Sequence, residues 1–162
     1  MVKVSELKKI RAGWKRAGKK MVFTNGCFDL VHLGHIRYLK QAKSLGDFLV
    51  VGLNADASVR RIKGPKRPIL PEEERAEILC AFRFVDYVVL FWEDTPEKLI
   101  RGLLPDILVK GADWAAGKIV GADLVLKNGG EVRRINFVQG KSTSAVIEEI
   151  VKRYRKPRRL KS

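Results

Sequence analysis

Residues 20–53 read KMVFTNGCFDLVHLGHIRYLKQAKSLGDFLVVGL, a stretch with an apolar run at each end. The short apolar run from Lys20 to Thr24 predicts a strand, the letters NGCFD predict a turn, and apolar residues at helical spacing follow from Leu33 to Leu45. Phe48 to Leu53 is a continuous apolar run, which is typical of a strand buried on both faces of a parallel sheet. The stretch therefore predicts a complete strand–helix–strand unit.

Strands and helices alternate along the rest of the chain. A helix capped by Ser5 precedes the unit and ends at Gly18, and a polar, basic loop follows it over residues 54–70. The further predicted elements are a helix from Pro71 to Phe82, a strand from Val85 to Phe91, a helix capped by Thr95 that ends before Pro105, a strand from Ile107 to Lys110, a helix within Val120 to Asn128, a strand from Glu131 to Val138, and a helix from Ser142 to Tyr154.

This alternation predicts an α/β fold. Because crossovers between parallel strands are right-handed, we expect a single Rossmann-like doubly wound domain with a five-stranded parallel sheet. We expect residues 1–20 to form a basic helix packed on the domain, residues 21–151 to form the α/β domain itself, and residues 152–162 to form a basic tail.

The net charge of +15 is concentrated at the two ends of the chain. Residues 1–20 and residues 152–162 each carry a net charge of +7, whereas the body between them is nearly neutral. Solvated terminal segments explain such a distribution, so we expect no nucleic-acid partner for the domain itself. A basic nucleic-acid-binding protein stays open as an alternative from another functional class.

Composition excludes several classes of protein. A hydrophobic share of 46% and a charged share of 31% are ordinary for a globular domain, and no run reaches the roughly 18 apolar residues of a membrane span. The N-terminus lacks the apolar core of a signal peptide, and two cysteines, Cys27 and Cys80, make no disulfide framework. We expect a cytoplasmic protein with no membrane association.

The only two histidines lie three residues apart where the first helix of the unit begins. His32 and His35 can share one face of its first turn, and Gly34 between them lets a ligand approach the backbone. Free N–H groups and the positive end of the helix dipole make such a turn an anion site. Because the imidazoles add directed donors, phosphate is the expected ligand; the dinucleotide fingerprint GxGxxG is absent.

The same residues carry a family signature. Thr24, Asn25, Gly26, Cys27, Phe28, Asp29, His32, Gly34 and His35 resemble the T-x-G-x-F-D-x-x-H-x-G-H pattern of the HxGH nucleotidyltransferases. From Phe23 to about Val151 the chain is similar to the branch that makes ADP-heptose from ATP and D-glycero-D-manno-heptose 1-phosphate. The supporting stretches are LGDFLVVGLNADASVRRIKGPKRPI, ERAEIL, PDILVKGADW and GKSTSAVIEEI.

The resemblance implies an ATP-dependent adenylyltransferase of ADP-heptose and lipopolysaccharide core biosynthesis. In that reaction an oxygen of the sugar phosphate attacks the α-phosphorus of ATP and pyrophosphate leaves, so no protein nucleophile is needed. A phosphate monoester is largely dianionic at pH 7, so a general base is dispensable as well. The resemblance implies Mg²⁺ held mainly by the ATP phosphates, with no metal-ligating residue in the chain.

Site residues follow from the resemblance. His32, His35 and Lys63 are the expected catalytic residues. The expected nucleotide-binding residues are Thr24, Asn25, Gly26, Cys27, Phe28, Gly34, Lys110, Gly111, Asp113, Gly140, Ser142, Thr143 and Ser144. Lys66, Arg67 and Arg75 are expected at a phosphate or at the second substrate.

Each assignment has a plainer alternative. The histidines could be structural or could join Cys27 in a zinc site, although a fourth ligand is missing. GKSTS imitates the end of a Walker A loop, but that pattern needs glycine where Ile135 stands. The other plain readings are a solvated loop for Lys63, Lys66 and Arg67, a surface salt bridge for Arg75, space filling for Cys27, a turn for Asp113, and cover of the sheet edge instead of base stacking for Trp114.

Several features bear on the substrate. Ala112 replaces a usual glycine of the heptose branch and Ser144 replaces a usual threonine. Glycerol-3-phosphate cytidylyltransferase is the nearest alternative, but its members carry an arginine where this chain has Phe137; adenylyltransferases of phosphopantetheine or FMN also stay open. A chain of 162 residues leaves no room for a sugar kinase domain, so we expect a stand-alone transferase fed by a separate heptose kinase, and a homodimer.

Overall fold

The computed structural model of the protein describes residues 1–112, 118–136, 140 and 142–155. The strands are β1 (Met21–Gly26), β2 (Phe48–Asn54), β3 (Tyr87–Phe91), β4 (Ile107–Gly111) and β5 (Glu131–Ile135). The helices are α1 (Val4–Arg16), α2 (Leu33–Lys43), α3 (Asp56–Lys63), α4 (Glu72–Cys80), α5 (Glu97–Leu103), α6 (Ala122–Lys127) and α7 (Thr143–Tyr154).

The strands form one parallel sheet in the order β3-β2-β1-β4-β5. The register pairs Met21 with Phe48 at the start of β1 and Gly26 with Leu53 at its end. Strand β1 is therefore central, and the chain reverses its direction of winding there. This arrangement confirms the predicted doubly wound α/β fold, in which ligands bind beyond the carboxyl ends of the strands at the reversal point.

Each face of the sheet has its own apolar core. One core packs the α2 and α4 residues Leu39 and Leu79 against the sheet, and the other packs Leu7 of α1 and Ile100 of α5 against the opposite face. These four side chains are fully buried. Because both faces are covered, β2 is buried along almost its whole length, as its apolar sequence indicates, whereas Glu131, Arg133 and Arg134 of the edge strand β5 are exposed.

Helix α1 is held to the domain by charge as well as by apolar packing. The guanidinium of Arg11 donates to Asp106 at 2.8 Å and to the carbonyl oxygen of Leu104 at 3.2 Å. The other carboxylate oxygen of Asp106 accepts the backbone N–H of Met21 at 2.7 Å. One carboxylate thus ties α1 to the start of β1.

Three local predictions are wrong. Residues 56–63, predicted as loop, form α3, in which Ser58 and Val59 are buried and the basic residues lie outside. Helix α1 begins before Ser5, with Lys3 at its N-cap. Pro96 and not Thr95 is the N-cap of α5, since the fixed φ of proline suits a helix start. The final strand ends at Ile135, and Phe137 and Val138 lie outside the described residues.

Among the described residues, no helix combines the length and the apolar character that a bilayer crossing requires.

Candidate active site

A cavity of about 700 Å³ opens beyond the carboxyl ends of the strands. Residues after β1 form its floor, residues after β2 and β3 form one side, and the end of β4 with the start of α7 form the other. Its lining comprises Asn25, Gly26, Cys27, Phe28, Asp29, His32, His35, Tyr38, Asn54, Ile62, Lys63, Arg67, Asp94, Thr95, Pro96, Lys110, Gly111, Val120, Ser142, Thr143 and Ser144. The structure therefore brings most of the predicted site residues to one cavity.

His32 begins α2 as its N-cap residue. Its Nδ1 accepts the backbone N–H of Gly34 at 3.1 Å, so in the neutral ring the proton is on Nε2. Gly34 is buried beneath the turn and does not line the cavity. The cap thus satisfies one N–H of the first turn and fixes the orientation of the His32 ring.

His35 lies directly against His32. The two ring centroids are 3.9 Å apart with an angle of 24° between the planes, and the ring of Phe28 lies 5.2 Å from that of His35. Burial, and to a smaller extent the neighbouring His32, lower the pKa of His35 to about 4. Two stacked imidazoles cannot easily both be charged, so His35 is neutral at pH 7.

One nitrogen of His35 has no partner. Its Nδ1 is buried and makes no hydrogen bond within the described part of the chain. An unsatisfied buried nitrogen costs free energy that a purely structural histidine would avoid. This nitrogen is therefore open to a hydrogen bond from a group outside the described residues.

Phe28 adopts a left-handed backbone conformation, with φ of +44°. A Cβ atom at Gly26 would lie 3.0 Å from Cε2 of the Phe28 ring, which is 5% exposed. A side chain at position 26 would therefore push this ring by a few tenths of an ångström from where it folds back over the strand end. That arrangement places Phe28 against His35 and shapes the turn that carries both histidines.

Asp29 anchors the loop between α3 and α4. Its buried carboxylate lies 2.5 Å from Nε of Arg67 and accepts the backbone N–H groups of Ile69 at 2.8 Å and Leu70 at 3.0 Å. Arg67 lines the cavity, as predicted for a cation at the site, but its Nε is bound to Asp29. Sequence reasoning quoted Asp29 only as part of the signature and missed this role.

Arg75 does not reach the cavity, so the expected contact with phosphate or substrate is not supported. Its side chain is completely buried and donates to Asp56, to the carbonyl oxygen of Cys27 and to that of Leu70, at 2.6, 2.5 and 3.0 Å. The physical reason is that a buried guanidinium needs acceptors, and these three surround it. Arg75 holds the turn after β1 to the start of α3.

Of the three lysines predicted at the site, two line the cavity and one does not. Lys63, the last residue of α3, is exposed and lines the cavity. Lys66 is exposed and lies outside the lining. Lys110 lines the cavity from β4 and its ammonium group donates to the side-chain oxygen of Asn25. Among the described residues, Lys63 and Lys110 are therefore the lysines that the fold places at the cavity.

The far side of the cavity is formed by the start of α7. Ser142 is the N-cap residue, its hydroxyl accepting the N–H of Ala145 at 3.0 Å, and Thr143 and Ser144 follow it in the lining. Gly140 has a φ of +69° and does not line the cavity. Asp113 and Trp114 lie outside the described residues.

The burial and contacts of Thr24 and Cys27 favour a structural role over a chemical one. Thr24 is fully buried, and its hydroxyl lies 2.7 Å from that of Tyr38, so it supports the cavity without lining it. Burial raises the pKa of the Cys27 thiol, and the nearby charges of Lys63, Arg75 and Arg67 oppose this shift without cancelling it. A thiol with a raised pKa is a poor nucleophile at neutral pH.

The described residues do not supply a metal cage. They contain no group of three or more histidine, cysteine or acidic side chains able to hold an ion, which argues against a zinc site at Cys27. Of the two carboxylates in the lining, Asp29 is bound as above and Asp94 pairs with Arg61 at 2.7 Å. This donor set does not fit a metal held by the protein.

Several residues that line the cavity were not predicted from the sequence. Asn54, Asp94, Thr95 and Tyr38 line it but were not predicted as site residues. Asn54 is the last residue of β2, and Asp94 and Thr95 follow β3. Their position at the carboxyl ends of strands was the available signal, because ligands in doubly wound sheets bind there.

A second cavity, of about 830 Å³, lies beside the N-terminal segment. Its lining is Met1, Val2, Lys3, Val4, Glu6, Glu72, Glu73, Leu90 and Trp92. Three carboxylates and no histidine face this space in the described chain. Although it is larger, it is a poorer site for phosphate than the cavity with the paired histidines.

Comparison with known proteins gives matches to most of the chain. A family model described as cytidylyltransferase-like matches residues 23–149. The bifunctional protein HldE of Citrifermentans bemidjiense is 61% identical over 137 residues, which cover 85% of this chain and 28% of that protein. The bifunctional protein HldE of Syntrophotalea carbinolica is 58% identical over 140 residues, 86% of this chain and 29% of the relative. The chain thus spans under a third of these relatives.

Solved structures match the fold. A lipopolysaccharide core biosynthesis protein from Thermoplasma volcanium superposes with a TM-score of 0.62 at 33% identity, covering 75% of this chain and 98% of the other. Pantoate-beta-alanine ligase from Francisella tularensis, complexed with an ATP analogue and beta-alanine, also gives a TM-score of 0.62. At 14% identity over 92% of this chain and 73% of the other, that likeness shows the fold alone.

Proposed function

The chain belongs to the cytidylyltransferase-like family, as its HxGH signature predicts, and we propose that it transfers AMP from ATP to D-glycero-D-manno-heptose 1-phosphate. The products are ADP-heptose and pyrophosphate. The observation that carries the proposal is the cavity itself, in which a helix N-terminus with two stacked imidazoles meets Lys63 and Lys110. The identity to bifunctional HldE proteins supports the heptose branch over other members.

The proposed reaction needs positioning more than acid–base chemistry. An oxygen of the acceptor's phosphate forms a bond to the α-phosphorus of ATP while the bond from that phosphorus to the bridging oxygen of pyrophosphate breaks. Because the acceptor is already anionic at pH 7, no proton has to be removed. The protein contributes N–H donors and cations that hold two anions together and stabilise charge in the transition state.

Each part of the cavity has a role in this proposal. The first turn of α2 and the rings of His32 and His35 hold the α- and β-phosphates. The start of α7, with Ser142 and Thr143, and the end of β4 hold the nucleoside side. Lys63 contacts the phosphates from the opposite wall. Mg²⁺ would bind with the nucleotide and offset its charge, and no step of the proposal depends on a protein ligand to it.

Pyrophosphate release tests the proposal. The protein is assayed with ATP, CTP, GTP and UTP, each paired with heptose 1-phosphate, mannose 1-phosphate and glycerol 3-phosphate. Release with ATP and heptose 1-phosphate, at kcat/KM at least about tenfold above every other pair, supports the proposal. Release with CTP and glycerol 3-phosphate alone would reject it in favour of the cytidylyltransferase, and release with no pair would reject both.

The proposal also includes the source of the acceptor substrate and the oligomeric state of the protein. Heptose 1-phosphate has to be supplied by a sugar kinase, and the proposed setting is a cytoplasmic homodimer. Light scattering coupled to gel filtration measures the mass in solution, and a monomer mass would reject the dimer.

Nucleotidyl transfer that survives removal of residues 152–162 would show that the basic end is accessory to the reaction.

A further inference from the structure

Asn54 stands on the side of the cavity to which the nucleotide has not been assigned. It ends β2, and its register partner in β3 is Phe91. Because β1 is central, the ends of β2 and β3 lie on one side of it, and the end of β4 with Lys110 lies on the other. If the nucleoside occupies the side of β4 and α7, the second substrate faces Asn54.

The orientation of the Asn54 amide is fixed by a chain of hydrogen bonds. The hydroxyl of Ser58 donates to the carbonyl oxygen of Glu93 at 2.8 Å, and that oxygen can only accept. The Ser58 oxygen can therefore only accept from Asn54, and the Asn54 atom 3.0 Å away is its nitrogen. Ser58 is fully buried and Asn54 is 3% exposed, so this arrangement is shielded from water.

The same chain of bonds determines what Asn54 offers to the cavity. With its nitrogen bound to Ser58, the side-chain oxygen has no hydrogen-bond partner among the residues that the structure describes. Asn54 lines the cavity, and with its nitrogen held by Ser58 the side-chain oxygen is the acceptor that its amide can offer to a ligand there. An acceptor in a fixed position selects a ligand group that donates, such as a hydroxyl.

The neighbours of Asn54 suit a hydroxylated ligand with one anionic group. Asp94 and Thr95, which follow β3, line the same side, and Asp94 has one oxygen bound to Arg61 at 2.7 Å. Lys63 also lines the cavity and can receive a phosphate. A carboxylate and an amide oxygen would repel a second anion, so the remainder of the ligand is neutral and rich in hydroxyls.

We propose that Asn54 determines specificity for the acceptor by accepting a hydrogen bond from a sugar hydroxyl, with Ser58 as the positioning residue behind it. This inference rests on the proposed function for the side on which the acceptor lies. To the proposed function it adds the group of the acceptor that is recognised, a hydroxyl on the neutral part of a sugar or polyol phosphate. It also names Asn54 as the residue that recognises this group.

Steady-state kinetics of Asn54→Ala test the inference, with heptose 1-phosphate and each of its monodeoxy analogues as acceptors. We expect KM for heptose 1-phosphate to rise about tenfold while KM for ATP changes by less than about twofold. One deoxy analogue should be about tenfold poorer than the parent for the unchanged protein and no poorer for the variant. An unchanged acceptor KM, or equal losses for ATP and acceptor, would overturn the inference.

Two further variants keep the test decisive. Asn128→Ala is a matched control, because Asn128 donates to a backbone oxygen at the end of α6 and lies outside the cavity; it should change neither KM. Ser58→Ala leaves Asn54 in place but releases its amide, so discrimination against the same deoxy analogue should fall, and undiminished discrimination would contradict the inference. If heptose 1-phosphate is not turned over at all, the proposed function fails, and the same comparison is made with the best acceptor of the substrate screen.

Discussion

The imidazole rings of His32 and His35 are stacked, with their centroids 3.9 Å apart, at the first turn of α2. His32 is oriented by the backbone N–H of Gly34, and His35 packs against Phe28. Both rings line the same cavity. Their contact makes them one unit, in which neither ring can move or take up a proton without affecting the other.

Replacement of His35 by alanine should lower kcat by at least about tenfold, which corresponds to about 1.4 kcal/mol of transition-state stabilisation. The reason is that the ring contributes to holding the transferred phosphoryl group and supports His32. Single-turnover pyrophosphate release measures the effect. A kcat equal to that of the unchanged protein would remove His35 from the chemistry.

His35 should also make the fold sensitive to acid. Its pKa in the folded protein is about 4, below the value of 6.5 for a free histidine, mainly because of burial. The unfolded chain therefore binds more protons between these two pH values, and the free energy of unfolding falls as the pH decreases from 6.5 towards 4. The expected loss is on the order of 3 kcal/mol.

Urea denaturation at a series of pH values measures this loss. His35→Gln has no titrating ring, so its stability should depend less steeply on pH over the same window. Parallel curves for the two proteins would show that other groups cause the acid sensitivity.

Lys63→Ala should lower kcat by about tenfold or more with little effect on stability, since Lys63 is exposed and lines the cavity from the end of α3. Arg60→Ala is the matched control, because Arg60 is an exposed cation on the same helix outside the cavity. Pyrophosphate release and urea denaturation separate the two effects. Equal activities of the two variants would show that Lys63 does not contribute to catalysis.

Arg75→Ala should destabilise the fold by about 3 kcal/mol, because it leaves Asp56 and two carbonyl oxygens without their donor in a buried place. Lys66→Ala, at an exposed position of the adjoining loop, should change the free energy of unfolding by less than about 0.5 kcal/mol. Chemical denaturation compares the two. A small effect at Arg75 would contradict its assignment as the link between the turn after β1 and α3.

The fold was predictable from local patterns, except at α3. The apolar runs of β1 and β2 and the helical spacing after them predict the central unit because both faces of the sheet are buried. Helix α3 was missed because its eight residues bury only Ser58 and Val59, too few to show an apolar stripe among charged residues. Its formation depends on contacts with residues far along the chain, such as the carboxylate of Glu72, which accepts the N–H of Asp56.

The site was predictable where it is encoded in consecutive residues. His32 and His35 follow from the signature, whereas the burial of Arg75 depends on acceptors from three separate segments. The sequence places Asn54 at the carboxyl end of a strand, but the orientation of its amide depends on Ser58 and Glu93. Sequence patterns indicate the helix or strand in which a residue lies, but they do not indicate which distant side chains it contacts.

A crystal structure with a non-hydrolysable ATP analogue and heptose 1-phosphate would show whether the paired histidines hold the triphosphate. We predict α- and β-phosphate oxygens within hydrogen-bond distance of the His32 and His35 rings, the nucleoside beside β4 and α7, and the sugar beside Asn54. A triphosphate bound away from the two rings, or a sugar on the side of Lys110, would contradict this prediction.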